Sequence, residues 1–417
     1  MFERLSTKFP DCDPKHLDAL AAVWTREAGL VVSRMFEIYG ETEVMQLPIE
    51  VRHEAAFELA KLMLWLEDRM IEKKTAAVPI DEIAPDAEAQ YMTSPGGVER
   101  IDNTARMMAD RIWKPLCAKW WERFPAIATA PKKTTVTGLP SNSPGVKKQH
   151  FSPVFSNRRW AGTDGAVRVY ALGVDGQIVA RQTGYRKWGR EPFIYSQALE
   201  QHFGLIEGDA EAPYRKLLDI VPFSETDRRH WVAFLAAQMF RTPWFLLQSL
   251  AGLRDIIATR GISYPTDVAS LRRAHETMFT NPDVFTMVYR LVVNRKWEIW
   301  KAPAGSQFVR SDHPVVTSSN GTLTTVFYPL SPDRCFVAGP ALAEELPQIV
   351  PDGRSVTDAQ RADVNRLMAS FARKSVIASP QGNDMALRAE LEPVLGQRWL
   401  ALSRARRFLP EHWGDLV

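Results

Sequence analysis

Four short polar groups after residue 148 carry side chains able to do chemistry. In Gln149, His150, Phe151, Ser152, Pro153 an imidazole leaves a polar segment. A histidine there could act as acid, base or ligand near neutral pH, or anchor the chain by hydrogen bonding. Tyr195 to Glu200 is followed by Glu207. Seven residues are nearly two helical turns, which puts the two carboxylates on one face ~10 Å apart. Such a pair can hold a hard cation or divide acid and base work, and it can equally be a salt-bridged or solvated face. Gln238 and Arg241, three apart at the end of an apolar run from Phe234, share a helix face. A guanidinium in such surroundings is costly unless paired, so Arg241 is expected to meet a carboxylate, with Glu200 or Asp312 as the leading candidates. The last group, Arg310 to Val315, ends one expected strand and turns into another. There Asp312 and His313 either line a site held by a sheet or form a turn bonded to its own backbone.

The elements that must position these groups read as a helix-rich α+β protein. Apolar residues recur at helical spacing from Pro14 to Glu72, and Ala55, Leu59, Leu62, Met63, Leu66 and Met70 form one face of a helix over Val51 to Met70. Pro79 to Gly97 reads as a long loop, and Glu99 to Phe124 as a helix kinked at Pro115. The Pro-, Ser-, Thr- and Lys-rich stretch from Ala130 to Gln149 reads as a linker. It divides a helical region, 1–130, from an α+β region, 150–417. In the latter, Val167 to Leu172 and Gln177 to Thr183 read as a hairpin turning at Val174, Asp175, Gly176. Helices are expected over Ile194 to Ile206, Glu211 to Leu218, Glu225 to Phe240, Trp244 to Thr259, Val268 to Phe279 and Asn281 to Val293. A small sheet is expected from Trp297 to Lys301, Gln307 to Arg310, Val315 to Thr317 and Thr324 to Leu330, then a helix over Asp358 to Phe371 and an apolar run at Ser375 to Ser379. Strict βαβ alternation is missing, which favours α+β over a doubly wound sheet.

Composition narrows the classes. The 417 residues, 45% hydrophobic and 24% charged, suit a folded chain with a large core. Three distant cysteines, Cys12, Cys117 and Cys335, argue for neither a disulfide framework nor a thiolate zinc site, and a reducing cytoplasm fits best. No run of ~20 apolar residues is present, so no membrane span is expected. The sequence lacks a GxxxxGK[ST] loop, a GxGxxG turn, a GxSxG elbow and an HExxH helix, so no nucleotide cofactor is indicated. His53-Glu54 starts an HExx run, but Phe57 stands where the second zinc histidine would be. A net charge of +3 does not by itself argue for nucleic acid. Lys132, Lys133, Lys147, Lys148, Arg158, Arg159, Arg404, Arg406 and Arg407 form local clusters, each a solvated face first and a phosphate track second.

The order and spacing of several segments resemble a family of mostly bacterial proteins, domain of unknown function 4238. They are QHFSP at His150, YSQALE with Glu207 beyond it, QMFR, SDHPV, YPLSP at Tyr328 to Pro332 and VNRLMASFA around Asn365. The resemblance covers His150 to about Ser379. Ser152, Val154 and Phe155 depart from the family's usual valine, tyrosine and leucine. The resemblance implies that His150, Glu200, Gln238, Arg241 and Asp312 belong to one recurrent arrangement, and it brings no established activity.

Two functional classes follow. In the first, the chain is a metal-dependent phosphodiester hydrolase, a nuclease. Glu200, Glu207 and Asp312 hold Mg²⁺ or Mn²⁺, His150 is the general base, and Arg241 or the linker lysines neutralise charge on nucleic acid. In the second, it is a non-enzymatic binding or regulatory protein whose helical N-terminal region meets a protein partner, with Trp120, Trp121, Trp160, Trp188 and Trp244 among the 13 tryptophans available as anchors. A toxin or defence role is compatible with either.

Overall fold

The computed structural model describes residues 1–39, 44, 47, 49–123, 149–173, 177–191, 197–249, 286, 289, 291–293, 295–320, 323–342 and 352–398. The expected linker, the hairpin turn at 174–176, the helices expected over 250–285 and the C-terminal arginines lie outside these residues.

The N-terminal part is helical: α1 (Phe2–Lys8), α2 (Pro14–Tyr39), α3 (Ile49–Ala77), α4 (Pro85–Thr93), α5 (Pro95–Met108) and α6 (Lys114–Arg123). The face anticipated on α3 is the one it buries: Ala55, Leu59, Leu62, Met63 and Leu66 pack with Val31, Val32, Met35 and Phe36 of α2. The stretch from Pro79 to Gly97 is not a loop. Pro85 and Pro95 each stand in the first turn of a helix, where a missing N–H costs nothing, and the Ser94 hydroxyl caps α5 by accepting from the Gly97 N–H at 3.2 Å. Gly97 itself is required, because a Cβ there would collide with the Tyr91 carbonyl. Between α5 and α6 the backbone runs as one π-helical segment, Ala109–Trp113, so the break expected at Pro115 falls just before it. A wider turn there accommodates a ring that would clash with the carbonyl four residues back.

The α+β part begins with β1 (Gln149–His150), β2 (Ala166–Leu172), β3 (Ile178–Gly184) and β4 (Arg190–Glu191). Then come α7 (Gln197–Asp219) and α8 (Glu225–Phe240), and next β5 (Arg295–Lys301), β6 (Arg310–Ser311), β7 (Val316–Asn320), β8 (Leu323–Ser331), β9 (Arg334–Leu342) and β10 (Asp352–Ser355). The described elements end with α9 (Asp358–Phe371), β11 (Ser375–Ala378) and α10 (Asp384–Leu391). Where two helices were expected, α7 is one helix running through Pro213. Two sheets replace the single small one: a five-stranded sheet in the order β10-β5-β9-β8-β7 and a four-stranded sheet in the order β3-β2-β11-β6, with β1 and β4 as a separate two-residue ladder. The fold is α+β. β10 alone among the described pairings runs parallel to its neighbour, β5.

Helix α8 starts with a capping box at Ser224 and Asp227 and lies over the five-stranded sheet, with the Trp231 ring 5.6 Å from Tyr328 and 5.5 Å from Phe336. Helix α9 covers the four-stranded sheet through Val364, Met368 and Ala369. The core under α8 also takes in Ala56, Phe57, Ala60 and Leu64 of α3, so the N-terminal helices and the α+β part share a hydrophobic interior. Trp120, Trp160, Trp188 and Trp244 are buried, which removes these four as interface anchors, while Trp121 is partly buried against the N-terminal core.

At this junction His53 of α3 meets His202 of α7, Nε2 to Nε2 at 2.9 Å, and its Nδ1 meets the Tyr289 hydroxyl at 2.8 Å. One imidazole donates and the other accepts, which two cationic rings could not do. Burial drives His53 well below its ordinary pKa and lowers His202 to about 4. Below pH 6.5 the unfolded chain takes up protons that the native chain refuses until about pH 4, so stability falls as pH falls through that window. The slope is ~1.4 kcal/mol per pH unit for each histidine. Urea unfolding at pH 7, 6 and 5 should show this decline; a flat profile would mean that the pair is not buried and neutral.

Candidate functional site

Arg241 ends α8, and its own N–H bonds to the Ala237 carbonyl at 2.9 Å. Its guanidinium is 1% exposed. It donates to the Glu207 carboxylate of α7 and to the His150 carbonyl of β1, and it lies 4.8 Å over the Phe203 ring. The carboxylate expected for Arg241 is therefore present, but it is Glu207 that bonds directly. Glu200 stands beside the pair. Burial pushes its carboxyl up, Arg241 opposes this, Glu207 adds to it, and the His150 backbone N–H opposes it again. The C=O of His150 is thus held by Arg241.

Gln238, one turn before Arg241, is fully buried, and among the described residues neither its Oε1 nor its Nε2 has a hydrogen-bond partner. The Glu200 Oε2 is buried and unpartnered as well. Leaving such groups unmade costs about 1–3 kcal/mol each, and native structures carry few of them without a reason. The His150 imidazole is half-buried, and its Nε2 lies 3.2 Å from the Arg186 carbonyl. A carbonyl can only accept, so Nε2 carries the proton and Nδ1 is the basic nitrogen. Burial lowers its pKa, which keeps the ring neutral near pH 7.

Asp312 does not join this group. Its carboxylate accepts from the backbone N–H groups of Arg373 at 2.8 Å, Lys374 at 2.6 Å and Ser375 at 3.1 Å, and so fastens the turn between α9 and β11. Burial pushes its carboxyl up and those N–H groups hold it down. His313 is buried beside it, with Nδ1 2.8 Å from the Thr242 hydroxyl, and burial lowers its pKa to about 3. The strand end thus touches the residue after Arg241, although its carboxylate serves the backbone. Mg²⁺ or Mn²⁺ on Glu200, Glu207 and Asp312 does not fit these residues. Both Asp312 oxygens are taken, Glu207 is ion-paired, and among the described residues no group of three or more His, Cys, Asp or Glu side chains could hold a metal ion.

Two further buried charged groups were assigned no role from the sequence. Glu191 of β4 receives Arg373 at 2.6 Å and Lys374 at 2.7 Å, tying the first ladder to the turn that Asp312 fastens. Arg310, fully buried at the start of the strand end, has only neutral partners among the described residues: the Ser156 hydroxyl at 2.8 Å, the Asn157 amide oxygen at 3.4 Å and the Pro329 and Leu330 carbonyls. Its guanidinium also lies 4.9 Å from the Tyr328 ring centre and 5.3 Å from that of Trp160.

Among the described residues no helix is long and apolar enough to cross a membrane. No curated protein and no solved structure matches the chain. A family model described as "Protein of unknown function (DUF4238)" matches residues 148–382, more than half of the chain and the whole of the arrangement around Arg241, Glu207, His150 and Asp312. The chain belongs to the DUF4238 family.

Proposed function

We propose that the chain is a hydrolase of phosphodiesters, acting on nucleic acid in the cytoplasm through His150, Glu200 and Gln238, with Arg241 and Glu207 holding them in place. The observation that carries this reading is the pair of polar groups unsatisfied among the described residues, the Gln238 amide one helical turn before the buried Arg241 and the Glu200 Oε2, whose carboxyl feels the Arg241 charge. Water gives its proton to the His150 Nδ1 as its oxygen bonds to phosphorus. The phosphorus–oxygen bond to the leaving group then breaks, and that oxygen takes its proton from Glu200, whose burial favours the protonated acid. The Gln238 amide supplies one donor and one acceptor to the substrate. No step is routed through a metal.

Purified protein should cleave mixed RNA and DNA, assayed both with Mg²⁺ and with chelator. Glu200→Gln and Gln238→Leu should each lower the rate at least about 100-fold while the protein remains folded. Wild-type protein without cleavage, or Glu200→Gln cleaving at the wild-type rate, would sink the reading.

A second reading, a non-enzymatic binding or regulatory protein, is favoured by one observation: Arg241, Asp312 and Glu191 all spend their bonds inside the chain. It expects no cleavage, and it expects Gln238→Leu to stabilise the fold by about 1–3 kcal/mol by removing an unsatisfied amide.

A further inference from the structure

We infer that the cleft walled by Arg158, Arg159 and Arg215 binds the phosphate groups of a nucleic-acid strand. The cleft has a volume of about 420 Å³ and is lined by those arginines with Phe155, Glu211 and Tyr214. That is within the range of sites that hold a nucleotide-sized ligand. Arg158 and Arg159 are exposed and their side chains make no hydrogen bond or ion pair among the described residues, whereas Arg215 is paired with Glu211.

A second, independent observation comes from beneath the floor. The Tyr214 hydroxyl bonds to the Leu330 carbonyl, which also receives Arg310, the buried guanidinium that has no carboxylate partner among the described residues. A buried cation without a counter-anion is costly, and its field is weakly screened by the surrounding protein. Three surface arginines, one buried arginine and a single glutamate therefore leave a strongly positive cleft that a bound anion would compensate. Arginine is also the residue whose planar fork matches phosphate oxygens.

The position of the cleft gives this charge a direction. Tyr214 and Glu207 are seven residues apart on α7, about 10 Å at 1.5 Å per residue, or on the order of three stacked nucleotides. A strand anchored at the arginines would run toward Glu207 and the polar group around Arg241. Only this last statement rests on the hydrolase reading; the anion site stands on its own charges.

The test is the anisotropy of fluorescein-labelled short single-stranded RNA and DNA with the full chain across a salt series, the probe being recovered afterwards to show that it is intact. Wild-type protein should bind. Arg158→Ala with Arg159→Ala should weaken binding about tenfold and lower the salt slope by about 1.4, the share of two phosphate contacts on a single strand. Glu211→Gln, which removes the competing carboxylate, should tighten binding, a gain that a merely destabilised fold would not produce. An unchanged slope in the double variant, no binding by wild-type protein, or binding to phosphatidylserine vesicles without oligonucleotide binding would each overturn the inference. Because binding and not cleavage is read, failure of the hydrolase reading leaves this result interpretable.

Discussion

Asp312→Ala is expected to lower the free energy of unfolding by about 4 kcal/mol, because it removes a buried carboxylate that accepts from three backbone N–H groups at once. The loss is not one contact among many. Arg373, Lys374 and Ser375 form the turn that delivers β11 to the middle of the four-stranded sheet, and β11 pairs with β2 on one side and with β6, just before Asp312, on the other. Asp312→Asn keeps one acceptor oxygen and should cost roughly half as much. Denaturant unfolding of the two variants checks this, and a loss under ~1 kcal/mol for alanine would show that the turn is held by something else. Neither variant belongs in an activity test, since each reports on folding.

Arg241→Met should cost about 3–5 kcal/mol, the range for removing one partner of a buried ion pair. Glu207 loses its counter-charge, the His150 carbonyl loses its donor, and Glu200, already pushed up by burial, loses the cation that holds it down. Arg241→Lys keeps the charge but not the fork that reaches a carboxylate and a carbonyl together, so it should fall between wild type and methionine. The decisive comparison is the double variant with Glu207→Gln. If the pair acts as one unit, the double variant loses clearly less than the sum of the two single losses, whereas strict additivity would contradict a direct interaction.

What could be read from the sequence were local features. The face of α3, the limits of α8 and the span of α9 follow from spacing and capping residues within a few turns. Pairing across the chain was out of reach. β9 contains Gly339 and Pro340, which disguise a strand that lies between β5 and β8. The run at Ser375 to Ala378 showed its apolar character but not that it would be central in a sheet. The site divides in the same way. Spacing placed Glu200 with Glu207 and Gln238 with Arg241 on shared faces, and the cost of a buried guanidinium called for a carboxylate. Which carboxylate it would be depends on how α7 and α8 are offset along their contact, and no sequence spacing encodes that offset. The partners of Asp312 lie about sixty residues further on and are backbone atoms, identical in every residue type.

The passage of α3 into the interior of the α+β part bears on heredity. Ala56, Phe57, Ala60 and Leu64 fill space among residues of the matched region although they lie outside it. A lineage that exchanged its first helices for others would have to import four side chains of compatible shape along with them, or leave a hole beneath α7 and α8. The packed interior of this protein therefore extends beyond the region the family model delimits.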